Sequence, residues 1–226
     1  MATIFVNVNF YGHDHLELSG LPDGSAPDWK GGMVTKIELR RWRINVVGKD
    51  LPRNNPFPNK QVVRYNYNAV LGHNVKARSA ALADQFVEEQ VPFNNNLVFL
   101  VTAYSAGGPT ALFFCQRLND RHDVQCYYIG LADPAFSRGL KDPRDNDLNL
   151  MVTPNVTARY RKNYFQTAGN GPDIEEVHDA VVGFQSFPLD SQLTSNDIGE
   201  RHMQACKIGN ERMTEDVNWC IANYPK

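Results

Sequence analysis

No apolar run in the chain approaches the ~18 residues that a membrane-crossing helix needs, so the sequence offers no transmembrane segment. Positive charge is not in surplus either. Lys and Arg total 23 against 25 Asp and Glu, a formal net charge of −2. Nothing in that balance steers the chain toward nucleic acid or an anionic lipid surface. Cysteine is sparse: Cys115, Cys126, Cys206 and Cys220 stand alone, with no CxxC pair. That spacing argues against a zinc framework and suits free thiols in a reducing compartment. A Cys206–Cys220 bridge is the alternative. The opening "MATIFVNVNFYGHD" has no basic segment followed by an apolar one. It reads as a strand rather than a secretory signal, and the expected location is cytoplasmic. Repeats and low-complexity tracts are missing as well.

What is present is an ordinary globular composition, 42% hydrophobic and 21% charged over 226 residues. That length fits one domain, 1–226, with a core of useful size. "TIFVNVNF" alternates with β-branched and aromatic residues and reads as a strand. A long Gly/Asp/Pro-rich loop follows. "MVTKIELRRWRINVV" fits period two with a slip and helical spacing equally. "QVVRYNYNAV" is a further strand candidate, and "NVKARSAALADQFVEEQV" is built from good helix formers. "NLVFLVTA" is a near-continuous apolar run of strand length, suited to a sheet covered on both faces. "GGPTALFFCQRLN" then reads as a helix and "VQCYYIGLAD" as another buried strand. Later come strand-like "TARYRKNYFQTAG" and "VVGFQSFPLD". The end, "TEDVNWCIANY", reads as a helix with Thr214 as its N-cap. Strand and helix alternate through the middle, which predicts an α/β protein with a mostly parallel sheet and helices on its faces. In such sheets ligands bind beyond the carboxyl ends of the strands.

Three chemistry-bearing groups fall at such ends. Ser105 lies between the apolar strand and the helix, hemmed in by Ala103, Ala106, Gly107 and Gly108. A side chain at so sharp a junction needs small neighbours two residues away. A nucleophile held by the turn accounts for the pattern, and the Ala106 N–H at the helix start would face a developing oxyanion. A plain serine N-cap also accounts for it. Asp133 closes the next strand, in "YYIGLADPAF". It suits a carboxylate that fixes a histidine tautomer, or an aspartate opening a turn before Pro134. A serine also needs a base. Of the six histidines, His202 sits late, in the polar stretch "SNDIGERHMQACKI" read as a loop between the last strand and the last helix. His178 in "IEEVHDAVVG" competes for the role. His122 follows the helix after Ser105 and should lie at the far edge. His13 and His15 follow the first strand and should lie near the active edge.

Taken together, "VTAYSAGGPTAL", "YIGLADPAF" and "DIGERHMQ" resemble the nucleophile, acid and histidine segments of the α/β-hydrolase fold serine hydrolases, the lipases and esterases above all. The order Ser, Asp, His is the order of that fold. The resemblance spans about residues 3–224, and the acid directly after the next strand is similar to the pancreatic-lipase-type branch. It implies a three-layer α/β/α sandwich, trimmed of the two antiparallel strands that commonly open the fold. It implies Ser105 as nucleophile, Asp133 as acid and His202 as base. The oxyanion hole would combine Ala106 with Phe10 or Tyr11. The first glycine of the usual Gly-x-Ser-x-Gly is Ala103 here, and the usual His-Gly after the first strand is replaced by "NVNFYGHDH".

The implied reaction is cleavage of a small-molecule or lipid ester, with no cofactor and no metal. Thioesters and amides suit the same triad, and a non-catalytic scaffold that keeps Ser105 as a turn residue is the reading of a different class. Segments 11–32 and 136–158 would overlie the active edge as possible caps. Phe136, Leu140, Leu148, Leu150 and Met151 would then line an acyl pocket or pack the insertion down.

Overall fold

The computed structural model describes residues 3–11, 43–46, 61–69, 75–90, 96–137, 156–167 and 176–225. Nine strands and three longer helices appear among them. In chain order they are β1 (Ile4–Tyr11), β2 (Arg43–Val46), β3 (Gln61–Asn68), α1 (Val75–Gln90), β4 (Leu97–Tyr104), α2 (Gly107–His122), β5 (Cys126–Ala132), β6 (Phe136–Ser137), β7 (Ala158–Phe165), β8 (Glu176–Val177), β9 (Gln185–Pro188) and α3 (Ile198–Asn223). The large sheet runs β2-β3-β1-β4-β5-β7-β9. From β3 to β9 every neighbouring pair is parallel, and only the edge strand β2 runs antiparallel, against β3. The protein is therefore of the α/β class.

β4 and β5 read as near-continuous apolar runs because both of their faces are covered, and β1 is buried along nearly its whole length with Asn7 and Asn9 included. Side chains alternate between the two faces of the sheet, as a period of two requires. Val6, Val8, Phe10, Val101, Ala103 and Leu131 join one cluster with Phe86 of α1 and Leu112 and Phe114 of α2. The alternate set, including Phe5, Leu100, Tyr128, Ala132 and Tyr164, clusters with Met213, Val217 and Ile221 of α3. The register sets Phe10 beside both Tyr67 and Ala103, and Tyr104 beside Ala132. The carboxyl ends of β1, β4 and β5 thus finish side by side.

Two open readings are decided and one expectation needs correction. Within "MVTKIELRRWRINVV" the described part, 43–46, is a strand. The final helix starts at Ile198, sixteen residues before Thr214. Asp197 is its N-cap, and the carboxylate accepts from the Glu200 N–H at 3.0 Å. Thr214 lies mid-helix, its hydroxyl donating back to the Asn210 carbonyl. Gly199 and Gly209 depress local propensity and "TEDV" imitates a cap, which hides the first sixteen residues of the helix, although Asp197-x-x-Glu200 is a capping pattern. Finally, Cys206 and Cys220 both lie on this helix, fourteen residues and about 21 Å of rise apart. They cannot bridge, and all four cysteines are free and buried. Of the cap segments, 12–32 and 138–155 lie outside the described residues, with Leu140, Leu148, Leu150 and Met151. Phe136 is buried in the core beside Val156 and Val181, so it packs the insertion's root onto the domain.

Candidate active site

β4 ends at Tyr104, and the next residue turns sharply. Ser105 has φ 51°, in the left-handed region where a side chain is strained. The turn is held by backbone bonds on both sides: the Ser105 N–H donates to the Ala132 carbonyl, and its own carbonyl accepts from Gly108 and Ala135. Small residues are required around it. A Cβ on Gly107 would stand 2.4 Å from the Phe10 carbonyl oxygen, and one on Gly108 would stand 2.4 Å from Pro134 Cβ. Ala103 is buried in the ladder. Helix α2 begins at Gly107 with Ala106 as N-cap and no side-chain cap bond. Ser105 is therefore not spent on capping the helix.

Its hydroxyl points elsewhere. Ser105 Oγ lies 2.9 Å from His202 Nε2, and His202 Nδ1 lies 2.6 Å from Asp133 Oδ2. With the proton on Nδ1, the ring donates to the carboxylate and accepts from the serine hydroxyl. All three residues are buried, at 5%, 7% and 0% exposure. They come from three elements 28 to 97 residues apart in the chain. Asp133 also turns through positive φ, 43°, directly after β5. Its other oxygen, Oδ1, accepts the Gln166 N–H at 2.9 Å, so the residue after β7 holds the acid in place. Burial raises the Asp133 carboxyl to about 7, against the lowering pull of His178 and the Gln166 hydrogen bonds.

His202 is not in a loop, as the sequence suggested, but in the second turn of α3. Helical spacing then puts Cys206 one turn on, with Sγ 3.7 Å from Nε2 and 3.9 Å from Nδ1. Asp133, His202 and Cys206 thus gather donor atoms within 4.8 Å. A tetrahedral zinc would need its nitrogen and oxygen ligands roughly 3.3 Å apart, given bonds of about 2 Å. The 2.6 Å Asp133–His202 bond is too short to admit a cation, so the cluster is a hydrogen-bonded relay.

The remaining expected residues separate cleanly. His178 is buried beside Asp133 and His202, not against Ser105. His122 ends α2 at the opposite edge, 2.7 Å from Asp84, which also takes Arg117 through both oxygens. His13, His15 and His73 lie outside the described residues.

Ala106 N–H opens α2, where helix geometry supplies no internal acceptor. Neither Phe10 nor Tyr11 suits the second donor. In a parallel strand the N–H and C=O of one residue point to the same side. The Tyr11 carbonyl accepts from Ala69 at 2.7 Å, on the β3 side and away from Ser105. Phe10, the alternate residue, faces β4, where it is paired with Ala103 inside the ladder and its carbonyl lies against Gly107. Sequence reasoning also missed Gln166 and Cys206. A helical reading of "DIGERHMQAC" would have found Cys206 from its i+4 spacing. No local signal marks Gln166, whose role exists only through the β5–β7 pairing.

No protein-family model matches the chain, and no curated protein matches it. The reading of this site therefore rests on its geometry. Among the described residues, no helix is long and apolar enough to cross a membrane.

Proposed function

We propose that the protein is a serine hydrolase that cleaves a carboxylic ester, lipase- or esterase-like in chemistry, on a trimmed three-layer α/β-hydrolase fold. One observation carries the proposal: a continuous buried chain from Ser105 Oγ through both nitrogens of His202 to Asp133 Oδ2, with spacings of 2.9 and 2.6 Å. A serine on a strained strand-to-helix turn, bonded to an imidazole that is itself oriented by a carboxylate, is arranged for nucleophilic attack.

In the reaction His202 Nε2 takes the Ser105 proton as Oγ attacks the ester carbonyl carbon. Asp133 holds the ring tautomer and stabilises the imidazolium that forms. The Ala106 N–H stabilises the tetrahedral oxyanion, a contribution of roughly 3 kcal/mol for a well-placed donor. His202 then returns the proton to the leaving alkoxide, and an acyl-enzyme remains on Ser105. Water, activated by the same His202, releases the acid. Thioesters and amides would pass through the same steps. No metal or organic cofactor takes part in them.

A fluorophosphonate probe tests the reading directly. The wild-type chain is expected to be labelled at Ser105, and Ser105→Ala is expected to abolish labelling. His202→Ala should slow it by at least a hundredfold. An unlabelled wild type, with a folded circular dichroism spectrum, would overturn the proposal and favour a non-catalytic scaffold.

A further inference from the structure

The relay uses one histidine, yet a second imidazole is buried against it. His178 follows β8, and β8 pairs antiparallel with β6, three residues past Asp133. The segment is pinned again one residue later, where the Asn163 side chain of β7 donates to the Asp179 carbonyl at 2.8 Å. Val181 then enters the core. A short strap is thereby fastened on both sides of His178, and the ring it carries is only 3% exposed.

That ring faces a particular set of groups. Its Nδ1 stands 3.5 Å from Asp133 Oδ2, the same oxygen that meets His202. Its centroid lies 4.6 Å from that of His202, with planes inclined at 43°. The backbone of Asp133 and Pro134 acts on it in the direction that favours its charged form. From β7 the Gln166 N–H meets Asp133 on its other oxygen, and Asp190 acts on the carboxylate from the 3-10 turn at 190–192. From α3 come His202 and, beside it, the Cys206 thiol. Burying an imidazole costs free energy that a leucine or phenylalanine there would not cost. The approach of Nδ1 to the relay's carboxylate is a 3.5 Å charge–dipole contact rather than a hydrogen bond, and packing alone does not call for a polar ring there.

We propose that His178 is a positioning residue, closing one side of the Asp133 carboxylate and keeping Oδ2 aimed at His202 while charge rises and falls on that ring. The inference rests on the serine hydrolase reading. It does not make His178 a second base, because the nitrogen within reach of Ser105 Oγ belongs to His202. The neutral ring supplies Asp133 with a polar neighbour and excludes water. A protonated His178 would compete for Oδ2 and set a second positive charge against the imidazolium, so protonating it should slow turnover.

The test compares His178→Phe, which keeps a ring and loses the nitrogens, with His178→Asn, which keeps a donor. The readouts are ester kcat, KM and the acid limb of the pH–rate profile. In His178→Phe, kcat is expected to fall about 10- to 100-fold with KM within about 3-fold, and the acid limb to shift by half a pH unit or more. His178→Asn should recover at least half of that loss on a logarithmic scale. A second readout needs no turnover: the downfield proton resonance of the Asp133–His202 hydrogen bond, recorded on Ser105→Ala with and without His178→Phe. Its shift or broadening is expected in the double variant.

Unchanged kcat, acid limb and resonance in a folded His178→Phe would overturn the positioning role. A His178→Asn variant as inactive as His202→Ala would overturn it too, and would make His178 the base. An unlabelled wild type with a resonance that still responds to His178→Phe would sink the hydrolase reading alone.

Discussion

Gly209 of α3 lies so close to Ala132 of β5 that a methyl group on it would stand 2.6 Å from the Ala132 Cβ. It would also come within 3.2 Å of Tyr164 Cβ. The helix approaches the sheet at the point where β5 is about to deliver Asp133. Two turns earlier on the same helix is His202. The depth of this one contact therefore sets how far the imidazole reaches over the strand ends.

Gly209→Ala should push α3 outward. Overpacking of this kind costs about 1–3 kcal/mol, more than the gain in helix propensity returns. The expected result is a lower melting temperature together with at least a tenfold loss of fluorophosphonate labelling rate. Thermal melts and probe kinetics on one preparation would check it. A more stable variant with full labelling would contradict the packing argument.

Ser105 holds φ 51° with a side chain attached. Only glycine adopts that region without penalty, at a saving of roughly 1 kcal/mol. Ser105→Gly is expected to abolish labelling while raising the melting temperature by a few degrees above that of Ser105→Ala. Equal melting temperatures for the two variants would show that the turn stores no strain.

Asp133 predicts a pH dependence with a definite sign. Burial lifts its carboxyl to about 7, whereas an unfolded aspartate titrates near 3.9, about three units lower. Between those values the folded protein keeps a proton that the unfolded chain has released. This group therefore makes stability fall as pH rises through the window. Asp133→Asn should remove that slope and be more stable than wild type above pH 7, by up to about 4 kcal/mol, while losing nearly all ester turnover. Urea melts at pH 5 and pH 8 would measure it. A variant less stable than wild type at pH 8 would mean that the lost hydrogen bonds outweigh the buried charge.

His178 acts in the opposite direction. Burial holds its pKa below the usual histidine value, with the neighbouring His202 adding to the shift and Asp133 opposing it. The unfolded chain then takes up a proton near pH 6.5 that the folded protein still refuses. Its contribution to stability is complete above pH 6.5 and is lost as pH falls through the lower, folded value. His178→Phe is expected to flatten the acid side of the stability curve. Melting temperatures from pH 5 to 7.5 would check this, and an unchanged acid slope would count against it.

The strand-ends argument could be read from the sequence because its signals are local. "LVFLVTAYSAGG" carries a buried strand, a turn of small residues and a helix start within twelve positions, and "YYIGLAD" carries a strand that ends in an acid. The histidine was another matter. His202 was placed by chain order and given the wrong local structure, as a loop residue where a helix stands. The second oxyanion donor is hidden from the sequence for a related reason. Which side of a strand an amide faces depends on register with its neighbours, and Tyr11 turns toward β3.

By itself the sequence determined the α/β class and the elements around Ser105 and Asp133. Local periodicity and turn chemistry carry those properties. Only the tertiary structure decided between His202 and His178, since both are late histidines in polar surroundings when read along the chain. The decision lies in a distance across 97 residues, created by the close packing of Gly209 on Ala132. That packing brings one imidazole onto Ser105 and leaves the other against Asp133. Contacts of that kind depend on how the elements pack, and no window of sequence contains them.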